Sequence, residues 1–181
     1  SGNMVFANLP LKSLNPFIPD EMATLRGALN GRFSVQGTTT APLINGSLQT
    51  DTTSVYVDGA GSTFTFDSKP IRVENNRIYF DQYQITASGN NPFVIDGSID
   101  ITQLDKPTAD LTMYADRMEL LNSKRTRQSM VYGILNISLT STIKGPLDAL
   151  VMRGDVRLLG NTNTTYVLRD SPLAVKDNMA G

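Results

Sequence analysis

The sequence contains no histidine, no cysteine and no tryptophan among its 181 residues. Without histidine and cysteine there is no Ser-His-Asp triad, no cysteine nucleophile, no conventional zinc site, and no haem or iron–sulfur ligation through those residues. The absence of cysteine also excludes disulfides, but it fits cytosolic and envelope proteins alike and therefore decides no compartment. The catalytic chemistry that remains possible is that of carboxylates, or of serine paired with lysine.

Charge of either sign is scarce as well. Charged residues form 18% of the chain, with 16 basic and 17 acidic residues and a net charge of -1, whereas an ordinary globular protein carries about 25%. This balance lacks the basic excess of a nucleic-acid-binding domain. No apolar run approaches the ~18 residues of a membrane-spanning helix, and no signal peptide opens the chain. We expect the chain to be a piece of a longer protein, so missing targeting signals say nothing about location.

The first residues follow a different pattern from the rest. Leu11–Ile18 is apolar and broken by proline, and Asp20–Arg26 has the pattern of a short helix. Asp20 is suited to cap the N-terminus of that helix, and Gly27 is suited to end it. The sequence therefore predicts one short N-terminal helix.

From Leu29 onward, apolar residues recur at every second position, which is the period of a β-strand. The longest such run is Phe93–Ile101, in which the odd-numbered residues face the apolar side. We predict ten to twelve short strands, nearly all antiparallel because the connections are short. Glycine recurs at inward positions and suits a sheet folded into a trough, although a two-sheet sandwich fits the alternation equally well. These inward glycines are Gly31, Gly46, Gly97, Gly133 and Gly154.

These patterns divide the chain into three parts. Residues 1–28 form an apolar, proline-broken segment plus the short helix, residues 29–170 form a curled β-sheet domain with an apolar groove, and residues 171–181 form a tail. One stretch interrupts the sheet pattern, because Met118–Met130 contains the basic run Lys124–Arg127. We predict a loop or frayed helix there, serving either as a solvated connection or as a contact with anionic lipid or a partner.

Two motifs deserve a test against catalytic chemistry. Asp96 and Asp100 lie on one face of a strand, as a glycosidase pair would, but no aromatic platform flanks them and solvent-facing charges explain them better. Gly59-Ala60-Gly61 lacks the third glycine and the following helix of a phosphate-binding loop, so a hairpin turn is expected. We predict no enzyme activity, no cofactor and no metal.

Several segments resemble the C-terminal region of the TamB family, the translocation and assembly module proteins of the AsmA-like group. The resemblance is carried by Leu14–Pro19 (LNPFIP), Leu25–Gly37 (LRGALNGRFSVQG) and Ala41–Leu48 (APLINGSL). It continues through Phe93–Ile101 and Val131–Leu158. The shared features are mainly the spacing of glycine, proline and aliphatic residues.

This resemblance implies a β-taco, a long sheet curled into a U with an apolar interior. It also implies a periplasmic portion of a protein of diderm bacteria that is anchored in the inner membrane. Such proteins are linked to phospholipid transport to the outer membrane and to assembly of outer-membrane β-barrel proteins, with an Omp85-class barrel as partner, and they carry no catalytic residues. The alternative is a carbohydrate-binding or adhesin-like structural β-domain.

The alternation identifies the residues expected to line the apolar groove, where acyl chains or amphipathic β-strands are expected to bind. They are Phe33, Val35, Ile44, Leu48, Val55, Val57, Phe64, Phe66, Ile78, Phe80, Ile95, Ile99, Ile101, Leu111, Met113, Leu135, Ile137, Leu139, Val156 and Leu158.

Overall fold

A computed structural model describes residues 2–18, 22–58, 61–87, 91–123, 133–160 and 165–173. They form eleven β-strands and one 3₁₀ helix, Leu11–Phe17, and none of their helices is long and apolar enough to cross a membrane. The strands are β1 (Gly2–Pro10), β2 (Ala23–Gly37), β3 (Pro42–Val57), β4 (Ser62–Phe66), β5 (Ile71–Glu74), β6 (Arg77–Ala87), β7 (Phe93–Asp100), β8 (Thr108–Ser123), β9 (Gly133–Pro146), β10 (Leu150–Gly160) and β11 (Thr165–Leu173).

All eleven strands belong to one antiparallel sheet, which confirms the prediction of a long all-β sheet and replaces the two-sheet sandwich alternative. The sheet order is β1-β2-β3-β4-β6-β7-β8-β9-β10-β11, so neighbours in sequence are neighbours in space. The one departure is β5. It lies between β3 and β6, as β4 does, and it pairs with both of them at a different level of the sheet. Short connections produce this order because a tight turn can only join antiparallel neighbours.

The sheet is curled, with its apolar face on the inside of the curl. Strands β4 and β6 both contact β8, although other strands separate them from it in the sheet order. The resulting core joins Ala87 of β6 to Val156 of β10 in one buried cluster. A flat sheet cannot bring such distant strands together, so the curl is what creates the core.

A row of irregular residues crosses the first strands and bends them. The backbone has a positive φ, in the left-handed region, at Asn8, Gly27, Thr52 and Gln82. These residues lie at similar heights along β1, β2, β3 and β6. Between β3 and β6 the row continues at Asp67, just after β4 ends. Bulges of this kind bend a strand and increase its twist. The row therefore contributes to the curl of this half of the sheet.

The predicted helix at Asp20–Arg26 is wrong where the structure describes it, because Ala23 is the first residue of β2. Leu25 pairs with Val55, and its backbone N–H and C=O both bond the Asn15 side chain, at 2.9 and 3.3 Å. A seven-residue helix is marginal by itself, so pairing with a neighbouring strand prevails. Asp20 lies outside the described residues.

Gly27 ends no helix, and the one short N-terminal helix lies elsewhere. Gly27, with a φ of 97°, lies in β2 opposite a bulge of β3, where Thr52 and Thr53 together face this one residue. The 3₁₀ helix occupies Leu11–Phe17, within the proline-broken segment. Pro10 precedes it and Pro16 lies inside it.

The predicted loop or frayed helix at Met118–Met130 is wrong for its first six residues. They extend β8 to Ser123, and Met118 pairs with Ile137 while Ser123 pairs with Gly133. Cross-strand pairing with β9 keeps this stretch extended although its alternation is weak. Lys124–Arg127 lies outside the described residues.

The predicted boundary after residue 28 falls inside β2, and β1 pairs with that same strand. The first segment is therefore continuous with the sheet rather than separate from it. At the other end, β11 reaches Leu173, two residues into the predicted tail. The rest of that tail, residues 174–181, lies outside the described residues.

We expect Gly97→Ala to destabilise the sheet by about 2 kcal/mol or more, because strained left-handed backbone costs about 1–3 kcal/mol and a clash is added. Gly97 has a φ of 116°, and a Cβ there would collide with the Asp110 carbonyl oxygen. The matched control is Gly2→Ala, where a Cβ meets nothing within 4 Å. Urea denaturation measures both, and equal midpoints would contradict the assignment.

Candidate functional site

The register of the ladders places the predicted groove residues on a single face of the sheet. Residues directly opposite each other in an antiparallel pair point to the same side. Leu48 faces Ile71, Leu111 faces Ile143 and Ile137 faces Leu158. When this pairing is followed from strand to strand, all predicted lining residues except one lie on the same face of the sheet. We call this face the inner face. The exception is Ile101, which lies just after β7.

The inner face also carries many residues that the sequence analysis did not single out. The reason is that the bulges change which residues point inward. In β3, even-numbered residues such as Leu48 face inward before Thr52 and odd-numbered ones such as Val55 after it. The sequence carries a signal of this change, because its apolar positions switch from even to odd, but the same switch also fits a boundary between two short strands. The additional inner-face residues include Met4, Phe6, Leu9, Leu25, Leu29, Ile71, Val73, Tyr83, Ile85, Ala87, Phe93, Ala109, Ala115, Met118, Ile143, Leu150 and Met152.

Burial is uneven along the inner face. Its most buried part is a cluster of small and flexible side chains, with Phe64, Phe93, Met113, Ile137 and Ile143 packed against it. The cluster consists of Ala87, Ala115, Met118, Leu139, Met152 and Val156. At the opposite end of the sheet, Met4 and Leu9 of β1 are 54% and 44% exposed. Most of the predicted lining residues are half-buried, so much apolar surface remains accessible to a ligand.

Three inward glycines each lie directly opposite a phenylalanine. Phe6 pairs with Gly31, Phe33 with Gly46, and Phe80 with Gly97. At Gly31 a Cβ would collide with the Phe6 ring, and at Gly46 with the Phe33 ring and the Arg32 carbonyl oxygen. In these two pairs the aromatic ring occupies the space that a side chain of the glycine would fill. Glycine by itself weakens a strand, but here it provides the site on which the ring packs.

A short polar belt crosses the middle of the inner face. The hydroxyls of Thr50 and Tyr83 both donate to the Asp67 carbonyl oxygen, at 2.6 and 3.1 Å. Burial raises the pKa of the Tyr83 phenol above its ordinary value, against a smaller lowering by Thr50. Asp67 follows the last residue of β4 and precedes β5, so it lies in the gap between these two strands. The two hydrogen bonds therefore connect β3 and β6 where no strand lies between them.

The two strand carboxylates are engaged in local hydrogen bonds on the outer face. Asp96 accepts the backbone N–H of Gln82 at 2.8 Å and also the amide of that side chain. Asp100 accepts the Thr102 backbone N–H at 2.8 Å and forms an ion pair with Arg77 at 3.3 Å. Hydrogen bonds from Thr102, aided by Arg77, lower the pKa of Asp100. The lowered pKa of Asp100 is the opposite of the raised pKa that a general acid requires.

The described residues contain no group of three or more potential metal-ligating acidic side chains. Gly61, the described residue of the Gly59-Ala60-Gly61 motif, donates its N–H to Val57 and Asp58 in the turn between β3 and β4. That turn is the hairpin predicted there.

We expect Asp96→Ala to destabilise the protein by about 1 kcal/mol, the typical value of one lost hydrogen bond. The physical reason is that Asp96 accepts the N–H of Gln82, whose φ of 48° leaves it outside the regular ladder. Asp81→Ala serves as control, because Asp81 is exposed on the same strand as Gln82. Chemical denaturation distinguishes the two, and an Asp96 variant as stable as the control would show that this bond contributes nothing.

Comparison with known proteins gives one match. The family model "TamB C-terminal domain" matches residues 81–178, which is more than half of the chain. No curated protein and no solved structure matches. The match confirms the resemblance found in the sequence, and the chain belongs to the TamB C-terminal domain family.

Proposed function

We propose that this TamB-family domain holds phospholipid acyl chains on the inner face of its curled sheet during their transfer between the inner and outer membranes. Family membership makes it a domain of an envelope-biogenesis protein associated with outer-membrane assembly. The observation that carries the finer proposal is the largely apolar inner face, which extends across the sheet and is only half-buried in most of its residues.

The proposal has a simple energetic basis. Each methylene of an acyl chain that is exposed to water costs ~0.8 kcal/mol, so crossing an aqueous compartment unaided is strongly unfavourable. Half-buried side chains such as Ile99 and Ile137 leave apolar surface that a chain can cover. Among the side chains that the structure describes, no large one is fully buried. Bound acyl chains would complete the burial that the protein leaves unfinished.

We place the domain in the periplasm, as part of a protein anchored in the inner membrane, with an Omp85-class outer-membrane barrel as its partner. These assignments rest on the family. We also assign it no enzymatic activity, since the family is a transport and assembly module and both candidate carboxylates have structural hydrogen bonds.

Assistance to the assembly of outer-membrane β-barrel proteins is the second candidate function. It is favoured by the half-buried apolar inner face, which an amphipathic β-strand can cover as an acyl chain would. The carbohydrate-binding and adhesin-like alternatives have less support. The first requires aromatic platforms along a polar cleft, and the second requires a closed core, whereas this sheet leaves its apolar face partly exposed.

We expect Ile99→Asp to abolish lipid co-purification while Asp100→Asn leaves it unchanged. The two residues are adjacent in β7 but lie on opposite faces, because Ile99 pairs with Ile78 and Asp100 pairs with Arg77. Mass spectrometry of lipid extracted from the purified domain measures the effect, with a β-sandwich protein as blank. Ile137→Asp tests the same face on β9.

Circular dichroism of each variant establishes that loss of lipid is not loss of fold. A photo-crosslinking residue at position 99 gives an independent test in an otherwise unchanged chain, with the same residue at Ser98 as control. Labelling of lipid from position 98 but not from position 99 would mean that the outer face binds it, and the proposal would then be abandoned.

A further inference from the structure

A cleft opens on the outer face of the sheet, over the first three strands. Its volume is about 510 Å³, which is in the range of small-molecule sites in proteins. Six outward-facing residues line it, in two neighbouring rows that each cross β1, β2 and β3. One row is Val5, Arg32 and Ser47, and the other is Asn3, Ser34 and Asn45. We call this feature the outer cleft.

The strand register explains why these residues share the outer face. Phe33 and Gly46 lie between them in sequence and belong to the inner face, so their neighbours on each strand point the other way. Adjacent strands are about 4.8 Å apart and alternate residues about 7 Å apart, so the six residues span about 10 Å by about 7 Å. Serine and asparagine are shorter than arginine, and they leave a depression beside the Arg32 side chain.

Arg32 gives the outer cleft its charge. It is exposed, and none of the carboxylates that the structure describes lies within ion-pair distance of it. Arg72 lies in the same row, directly opposite Ser47 on β5. Its guanidinium pairs with Glu74, with N and O 3.4 Å apart, and lies over the Tyr79 ring, 4.5 Å from the centroid. The charge of Arg72 is therefore compensated within the sheet, whereas that of Arg32 is available to an anion.

Neutral hydrogen-bond donors surround the Arg32 side chain. The side-chain oxygen of Asn45 accepts the backbone N–H of Asn75 at 2.9 Å, which fixes the orientation of the amide. The amide nitrogen therefore lies on the side away from Asn75, where it can donate to a ligand. Ser34 lies directly opposite Asn45, and Ser47 directly opposite Arg32, and each adds a hydroxyl. No acidic residue lines the outer cleft in the part of the chain that the structure describes.

We propose that the outer cleft binds the phosphate group of a phosphate ester, with the Arg32 guanidinium as the charged contact and the Asn45 amide and the two serine hydroxyls as neutral donors. The planar guanidinium matches phosphate oxygens in a bidentate geometry. Phosphate oxygens point in several directions and can accept from donors on two strands, whereas a carboxylate offers two oxygens in one plane.

The rest of the outer cleft has room for the organic part of such an ester. Val5, which is 61% exposed, provides an apolar contact at one side. The site lies on the face opposite the groove and goes beyond the proposed acyl-chain function. A lipid headgroup and a soluble phosphate ester present the same chemistry to these donors.

Chemical-shift mapping by NMR tests the site on the unchanged chain. The probes are inorganic phosphate and glycerol 3-phosphate, each titrated at constant ionic strength so that general screening by salt does not vary. We expect saturable shifts of backbone amides centred on residues 32–34 and 45–47. Acetate, titrated in the same way, should bind more weakly at these positions, because it has fewer oxygens to accept hydrogen bonds.

Two matched variants assign the binding to Arg32. Arg32→Gln should weaken the binding of glycerol 3-phosphate about tenfold or more, because hydrogen bonds between charged groups are stronger than neutral ones. Arg72→Gln makes the same change of charge on the same face but outside the lining of the outer cleft, and it should leave the affinity unchanged. Circular dichroism and urea denaturation show whether each variant keeps the fold.

Sedimentation with vesicles distinguishes the two sources of the phosphate group. If the protein binds phosphatidylcholine vesicles only when they contain phosphatidic acid, and Arg32→Gln removes that binding, the ligand is a lipid headgroup. If glycerol 3-phosphate binds and these vesicles do not, the ligand is a soluble phosphate ester. Either result supports the site.

Four results would overturn the proposal. They are the absence of saturable shifts with both phosphate probes, equal affinities of the Arg32→Gln variant and the unchanged protein, equal binding of acetate, and shifts spread over exposed arginines and lysines throughout the sheet.

Discussion

The structure depends on one constraint: each strand must keep its apolar residues on one face of the sheet even where it bends. A bend made by a bulge inserts one residue and leaves a backbone N–H without its ladder partner. At two of these bulges a polar side chain of the adjacent strand accepts that N–H. Asn30 accepts it from Asn8 and Asp96 from Gln82, each at 2.8 Å, so both of these bends keep the additional N–H hydrogen-bonded.

The same arrangement repeats on the other half of the sheet, where Ser138 accepts the N–H of Arg117 at 2.9 Å. The acceptors are short polar side chains that the sequence alone presents as ordinary outward-facing residues. Their placement explains why Asp96 is a structural residue rather than half of a catalytic pair. It also explains how a chain with few charges still needs particular polar residues at particular positions of its outer face.

Much of the fold was predictable because alternation is a local signal. The odd positions from Phe93 to Ile99 face inward as expected, since β7 has no bulge. The signal failed where tertiary pairing overrides local preference. Ala23–Arg26 has helical spacing but pairs with the end of β3, and Met118–Ser123 has weak alternation but pairs with β9. Neither partner is visible in a window of ten residues, because both contacts connect segments distant in sequence.

The inner-face residues were predicted only in part for a related reason. The sequence shows Phe80 and Ile85 as members of two strands, whereas they lie on one strand with a bulge between them. For the glycine–phenylalanine pairs, the sequence pattern identifies the inward glycines but not the phenylalanines that lie opposite them. Which residue covers a glycine depends on register, and register follows from the hydrogen-bonded ladder rather than from composition.

The buried cluster and the first strand lie in different parts of this sheet. The buried cluster draws on β6, β8, β9 and β10, and the family match, residues 81–178, covers that same region. β1 contributes no residue to the cluster, and its Phe6 ring packs over Gly31 of β2. A change at β1 therefore leaves the cluster intact, because the lost contacts belong to the edge alone. The packed region therefore preserves the curl of the sheet independently of β1.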